Sequence, residues 1–408
     1  MFRLPLFWYN VDMRQMSYKK IIFHMDVNSA YLSWEAAYRI HEKGESIDLR
    51  EIPSAVGGDV EKRHGIILAK SIPAKKFGVQ TGEPVMAALK KCPELTLVRP
   101  NFSLYCRSSD AAMALLHEYT DKVEQYSIDE AFMDMTGCTK DPVATADEIR
   151  RRMREELGFT VNVGVAENKL LAKMASDFQK PDKTHTLWRE EIPAKMWVLP
   201  VEDLFFIGRS TAPKLAAMGI KTIGQLAATD REVLYSHFKK HGYVIHDFAN
   251  GIDNSALDLD TEGPNKGYGN SLTTPVDITE IEDAKPYLLQ LAETVSARLR
   301  EDHVKISVVA VSIRDCDLVF YNHQMKLRNA TDLTAEIYEA ACQCLAEMWS
   351  GYPLRHFGIH TSKVELDSTR QISMFDTHDY AKQKKAEDAV DELRERFGKD
   401  IVKRASLM

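Results

Sequence analysis

From Lys20 to about Thr186 the chain switches repeatedly between short apolar runs and longer stretches with helical spacing. Lys20–Asp26 is an apolar run that ends in a carboxylate, and the spacing after it predicts a helix over Asn28–Ile40. Ile66–Lys70, Leu95–Val98, Val123–Tyr126, Ala131–Met135 and Thr160–Val165 read as strands. Leu104–Tyr119, Val143–Leu157 and Asn168–Phe178 read as helices. Interleaving of this kind, with a hairpin near Asp129, predicts an α+β sheet with helices on one face. Pro181 and the polar stretch to Thr186 close this block. Ile192–Asn250 is helical in short pieces, punctuated by Pro200, Gly208, Gly219 and Gly224, and a polar connector, Gly251–Asn265, follows. Lys266–Leu366 returns to strands (Ser307–Ile313, Leu318–His323) and helices (Ala284–Arg300, Leu333–Trp349). A charged helix is expected over Tyr380–Phe397.

A chain of 408 residues predicts several domains. Its 44% apolar and 28% charged residues are those of an ordinary globular protein, which excludes a collagenous or wholly disordered chain. No apolar run approaches the ~20 residues that span a bilayer. No membrane association and a cytoplasmic setting are therefore expected. Residues 1–19 read as an extension ahead of the first domain; Asn10, Asp12 and Arg14 interrupt any signal-like core, and Met13 and Met16 are alternative starts. Six cysteines are too few for a disulfide framework, and Cys342 and Cys344 read as packing residues of one helix. A net charge of −7 excludes a uniformly basic surface but leaves room for a local positive groove.

The candidate chemistry centres on Asp26, at the end of one strand, and the adjacent Asp129 and Glu130 between two others. A strand that turns straight into a helix sets the free amides of the helix, here Val27 to Tyr31, beside its terminal carboxylate. Such a site can hold a triphosphate and hard cations together. The alternative is that Asp26 caps a helix and the acidic pair is a solvated turn.

Four motifs then occur in order: Phe23-His-Met-Asp-Val-Asn-Ser-Ala-Tyr-Leu-Ser-Trp-Glu35, Ala74-Lys-Lys-Phe-Gly-Val79, Tyr126-Ser-Ile-Asp-Glu-Ala-Phe-Met-Asp134 and Val163-Gly-Val-Ala-Glu-Asn-Lys-Leu-Leu-Ala-Lys-Met-Ala-Ser-Asp177, with Lys180-Pro181 behind the last. Together they resemble the Y-family translesion DNA polymerases, in particular the polymerase IV branch. The resemblance runs from about Lys20 to the carboxy terminus. It implies an α+β multidomain fold, a right-hand polymerase. A ferredoxin-like palm (20–35 and 94–187), small fingers (36–93) and a helical thumb with a helix-hairpin-helix (188–256) come first. A linker (257–265), an α/β little finger (266–366) and a tail (367–408) complete it. It also implies that Asp26, Asp129 and Glu130 are the catalytic carboxylates of a site holding two magnesium ions, with Val27 lending a backbone carbonyl to a metal. Asn28 stands where many relatives have a further Asp. Ser29, Ala30, Tyr31, Lys75 and Lys180 would bind the nucleotide, Tyr31 as the steric gate against a ribose 2′-hydroxyl. Lys75 and Ile72 depart from the usual Arg and Tyr of the family.

Phe205-Phe-Ile-Gly-Arg-Ser-Thr211 and Met218-Gly-Ile-Lys-Thr-Ile223 resemble the helix-hairpin-helix that grips DNA phosphates, which would make Gly208 and Gly219 DNA contacts or, alternatively, parts of a structural helix pair. Phe206 replaces the first hairpin glycine. The little-finger segment has ten Lys and Arg against fourteen Asp and Glu, so a DNA role requires its cations on one face. Gln371-Ile-Ser-Met-Phe375 resembles the peptide that docks on the bacterial sliding clamp, through Gln371, Met374 and Phe375. The expected partners are primer-template DNA, a dNTP and the clamp, with the chain a monomer. The expected activity is low-fidelity, template-directed DNA synthesis across lesions without proofreading. A non-catalytic DNA-binding scaffold and a nucleotide cyclase on a similar palm are the other classes.

Overall fold

The computed structural model describes residues 19–58, 65–259, 265–366, 380–398 and 401–405. They form two compact units divided after Leu259.

In the first unit, strand β1 (Ile22–Val27) is buried at every position and turns sharply into helix α1 (Ala30–His41). The helix expected from Asn28 begins at Ala30, because Ser29 adopts a left-handed conformation with φ 49° that turns the backbone off the strand first. Strands β2 (Ser54–Gly57) and β3 (Ile67–Lys70), helices α2 (Ile72–Lys76) and α3 (Val85–Lys91), and strand β4 (Thr96–Val98) form a small layer around Ala74, Val79, Val85 and Leu95. Ser71 caps α2, its hydroxyl accepting from the Ala74 amide at 3.1 Å.

Helix α4 (Phe102–His117), strands β5 (Val123–Gln125) and β6 (Glu130–Asp134), helix α5 (Pro142–Leu157), strand β7 (Val161–Ala166), helix α6 (Lys169–Asp177) and strand β8 (Thr184–Leu187) complete the main layer. Its sheet has the order β5-β6-β1-β7-β8. β1 is antiparallel to both neighbours and pairs Asp26 with Glu130 on one side and Asn162 on the other. Helices cover both faces of this sheet, not one. Phe23, Met25 and Val163 enter a core with α1, α4 and α5, while Ile22, Phe132 and Ala166 enter another with α6. Central strands covered twice lose their polar face, which is why β1 and β7 are buried throughout. α6 approaches β7 so closely at Gly164 that a Cβ there would lie 1.9 Å from the Ala172 carbonyl oxygen.

Helices α7 (Ile192–Lys195), α8 (Ala212–Ala217), α9 (Ile223–Ala227), α10 (Arg231–Phe238) and α11 (Lys240–Ala249) are the short pieces expected between Ile192 and Asn250, and they share the core of α6. The connector then runs back over this unit. Asn168 Nδ2 donates to the Gly251 carbonyl at 3.0 Å, the Asp253 carboxylate accepts from the Leu170 amide at 3.1 Å, and the Asp258 amide donates to Glu124 at 2.9 Å.

The second unit comprises β9 (Gly269–Ile278), α12 (Ile281–Glu301), β10 (Lys305–Asp315), β11 (Phe320–Thr331), α13 (Thr334–Met348), β12 (Leu354–Glu365) and α14 (Tyr380–Phe397). Its antiparallel sheet, β11-β10-β12-β9, packs one face on α12 and α13 around Leu291, Val309, Cys344 and Ile359. The register puts Thr273, His356, Arg314 and Phe320 in one row of the opposite face. Ser271, Gly358, Ser312 and Asn322 form the next row, then Gly269, His360, Ala310 and Gln324, then Ser362, Val308 and Lys326. No carboxylate stands in these rows. α14 has the predicted bounds but is not a free tail: it lies on this unit without burying a single residue, held by charge. Arg300 pairs with Glu387 at 2.5 Å and Asp391 at 2.6 Å, and Lys384 with Asp332 at 2.6 Å.

Candidate active site

Asp26 ends the buried part of β1, Asp129 closes the β5–β6 turn and Glu130 opens β6. The turn is tight: the amides of Tyr126 and Ser127 both donate to the Glu130 carbonyl, and Ser127 Oγ donates to Asp129 Oδ1 at 2.7 Å. Ser109 of α4 braces it from behind by donating to the Ile128 carbonyl at 2.5 Å. Two of the three carboxylates face a lysine. Lys180 Nζ lies 2.7 Å from Asp26 Oδ1 and 2.9 Å from Asp177 Oδ1, and Lys173 Nζ lies 2.8 Å from Glu130 Oε2.

Burial pushes the Asp26 carboxyl up to about 7, against the pull of Lys180. Burial also opposes the charge of Glu130, but His24 and the Lys173 ammonium together hold that carboxyl well below its usual range. His24 is fully buried, with Nδ1 2.8 Å from Ser176 Oγ and Nε2 3.7 Å from Glu130, and burial keeps its ring from charging. Among the described residues no three acidic, His or Cys side chains converge as a ready-made cation cage. The donors present are nonetheless all hard carboxylate oxygens, which suit magnesium or manganese and not a soft metal. The raised pKa of Asp26 shows that this corner lacks positive charge.

A cavity of about 460 Å³ opens beside Asp26 and Asp129. Ser29, Ala30, Tyr31, Lys75 and Lys180, the residues expected to bind nucleotide, all line it, as do Val27 and Ile72; Glu130 turns away toward α6. The Tyr31 ring is stacked on Tyr105, with centroids 4.7 Å apart and planes 14° from parallel, and has the edge of Phe102 beside it. Burial, with the Asp129 charge, raises the Tyr31 phenol. The expected run of free amides is shorter than Val27 to Tyr31. The Val27 amide donates to the Asp129 carbonyl and the Asn28 amide to the Thr160 carbonyl, both at 3.0 Å, since the strand's ladder continues past Asp26. The sequence reading missed Lys70, which lines the same cavity and donates to Thr81 Oγ1 at 3.2 Å. Burial and the neighbouring Lys75 lower its pKa. The available signal was the strand ending at Lys70 just before a Ser-capped helix, the same turn logic that singled out Asp26.

Gly208 and Gly219 lie among the α7–α11 helices and do not line this cavity. Gly219 has φ 82° and ends α8: its amide donates to the Ala216 carbonyl and that of Ile220 to the Leu215 carbonyl, a Schellman cap that accounts for the glycine. Phe206, in the position of the first hairpin glycine, keeps the glycine-like φ of 74°. Gln371, Met374 and Phe375 lie outside the described residues.

The impB/mucB/samB family matches residues 25–177, and its C-terminal domain matches residues 265–374. The DNA polymerase IV of Clostridium acetobutylicum is 43% identical over 391 residues, covering 95% of this chain and 98% of that protein. The chain belongs to the Y-family of DNA polymerases, in the polymerase IV branch. Other relatives of this Y-family chain include the DNA polymerase IV of Acetivibrio thermocellus, 41% identical over 96% of this chain and 98% of that protein. DNA polymerase IV 2 of Bacillus subtilis is 37% identical over 96% and 95%. Among solved structures, a Y-family DNA polymerase chimera matches with a TM-score of 0.74 and 21% identity, over 85% of this chain and all of that one. The right-hand polymerase fold expected from the motifs is therefore the fold of the chain. No helix among the described residues is long and apolar enough to cross a membrane.

Proposed function

We propose that this chain is a DNA-dependent DNA polymerase that copies damaged or distorted templates, joining a dNTP to a primer 3′-hydroxyl with release of pyrophosphate. The observation that carries this is a single cavity lined by Asp26 and Asp129, by the ring of Tyr31, and by Lys70, Lys75 and Lys180. Asp26, Asp129 and Glu130, with the Val27 carbonyl, would hold two magnesium ions. When bound, these supply activation of the attacking hydroxyl and neutralisation of the leaving pyrophosphate. The three lysines meet the triphosphate as point charges, Lys75 without the fork an arginine would offer. Ser29, Ala30 and Tyr31 contribute the amides. Tyr31 is backed by Tyr105 and cannot swing aside without losing that stack, so its ring is a fixed obstacle to a 2′-hydroxyl.

Residues 20–35 with 94–187 act as palm, 36–93 as fingers, 188–256 as thumb and 266–366 as little finger. The carboxylate-free face of the second sheet, with Arg314, Lys326, His356 and His360, is the surface that lies along DNA despite the segment's net negative charge. Gly208 and Gly219 belong to the thumb hairpin that touches DNA phosphates. The fingers are small, so closure discriminates weakly among nucleotides, and with no proofreading site fidelity is low. Gln371, Met374 and Phe375 recruit the sliding clamp to a monomeric, cytoplasmic enzyme.

Primer extension with magnesium and dNTPs tests this. Template-directed extension that disappears in Asp129→Ala and Glu130→Ala is expected. A wild-type chain that binds primer-template, with clamp supplied, yet extends nothing would overturn it.

A further inference from the structure

Asn162 of β7 lies directly across from Asp26 of β1 and is fully buried. Its carboxamide is used completely. Nδ2 donates to the Ser176 carbonyl at 3.0 Å and the Gln179 carbonyl at 2.7 Å, and Oδ1 accepts from Asn28 Nδ2 at 3.1 Å and the Lys183 amide at 3.3 Å. Asn28 is buried as well, and its Oδ1 accepts from the Asp182 amide at 2.9 Å. Gln179, Asp182 and Lys183 bracket Lys180. The outer flank of that loop is held separately by Arg150, which donates to the carbonyl and carboxylate of Asp182. The two carboxamides hold its inner flank to the strand that carries Asp26.

The orientation of the pair is dictated. Backbone carbonyls only accept, so the Asn162 amino group must face Ser176 and Gln179. Its oxygen then faces position 28, which must offer a donor. Asparagine does; an aspartate would set oxygen against oxygen across that 3.1 Å contact. Turning Asn162 over would only move the clash to the two carbonyls.

We propose that Asn28 and Asn162 are coupled positioning residues that fix Lys180 for the triphosphate, an inference resting on the nucleotide role of Lys180 given above. The test uses the full chain in single-nucleotide incorporation. Asn28→Asp should raise the dNTP KM about tenfold, the scale of one unmatched buried acceptor, with kcat moved less than about threefold. In an Asn162→Ser background, where a small hydroxyl can donate to the introduced carboxylate, the same change should cost less than about twofold. It should also cost less than about twofold once Lys180→Ala is present, which a general structural defect would not. Amide hydrogen exchange across Gln179–Lys183 should be faster in Asn28→Asp, and Asn28→Ala repeats the cycle if that variant folds poorly. Equal KM penalties in all three backgrounds, or unchanged exchange, would overturn the proposal. Should Lys180→Ala alone leave KM unchanged, the role of Lys180 falls, while the exchange result still decides the pair.

Discussion

Alanine at Gly164 would be an unusually informative substitution. In a strand interior, replacing glycine normally helps by roughly 0.5–1 kcal/mol, because the unfolded chain loses freedom. Here the new Cβ would sit 1.9 Å from the Ala172 carbonyl oxygen and 2.6 Å from the Ser176 nitrogen, where real Cβ contacts stay above 3.0 Å. Both obstacles are backbone, so α6 as a whole must withdraw by at least 1.1 Å (3.0 minus 1.9). That helix buries Leu170, Leu171, Ala172 and Ala175 almost completely. Overpacking of this kind costs typically 1–3 kcal/mol, and a rigid neighbour puts the change at the upper end, about 3 kcal/mol. In urea unfolding followed by circular dichroism, the transition of the first unit should move down by roughly 1 M. Its loss should be accompanied by loss of incorporation, since Lys173 would be drawn off Glu130. Gly208→Ala is the control: no atom lies within 4 Å of its Cβ, and the expected change is within about 0.5 kcal/mol. A Gly164→Ala protein that unfolds at or above the wild-type midpoint would refute the contact between α6 and β7, and with it the placement of Lys173.

Three further outcomes follow from the same geometry. Asp26 titrates at about 7 in the fold against 3.8 unfolded, so the folded state holds the extra proton between those values and stability falls as pH rises through them. Asp26→Asn, inactive in extension, should therefore melt like wild type near pH 4 in metal-free buffer but gain up to about 4 kcal/mol by pH 8; a difference that does not change with pH would contradict the buried charge. Tyr31→Ala should reduce discrimination against ribonucleotides roughly a hundredfold, whereas Tyr31→Phe keeps the ring and the gate; kinetics with paired dNTP and rNTP substrates will tell. Phe206→Gly gives up edge contacts to Phe205 and Phe248 worth about 1 kcal/mol but relieves a left-handed φ of similar cost. Thermal unfolding should thus show a net change under about 1 kcal/mol, and a loss above about 3 kcal/mol would mean that the backbone strain is absent.

Much of the site was legible because its signals are local. Asp26 stands where an apolar run meets a helix, and the hairpin that carries Asp129 and Glu130 is bounded by strands on both sides. α14 has its predicted bounds because a charged helix that buries nothing has no tertiary packing to shift its ends. What stayed hidden depends on register. His24 and Asn162 become site neighbours only when β1 is paired with Phe132 and Glu130 on one side and with β7 on the other. The second layer of helices was missed because His24 and Asp26 interrupt the apolar run of β1 and make a doubly covered strand look one-sided. β9 and β12 escaped because their outward rows are small polar residues and histidines, which blur the alternation.

The course of the connector between Gly251 and Asp258 sets the length of leash for everything after it. Were the chain free from the end of α11, those residues would add about 30 Å of contour. Pinned through Asp253 to the first turn of α6 and through Asp258 to Glu124, that slack is withdrawn. The second unit is tethered from near Leu259 and samples a correspondingly smaller volume, so its local concentration at any DNA held by the first unit is higher than linker length alone would give. Pull on the chain beyond that point is delivered not to the last thumb helix but to the helix that carries Lys173, so tension between the units bears on the lysine beside Glu130.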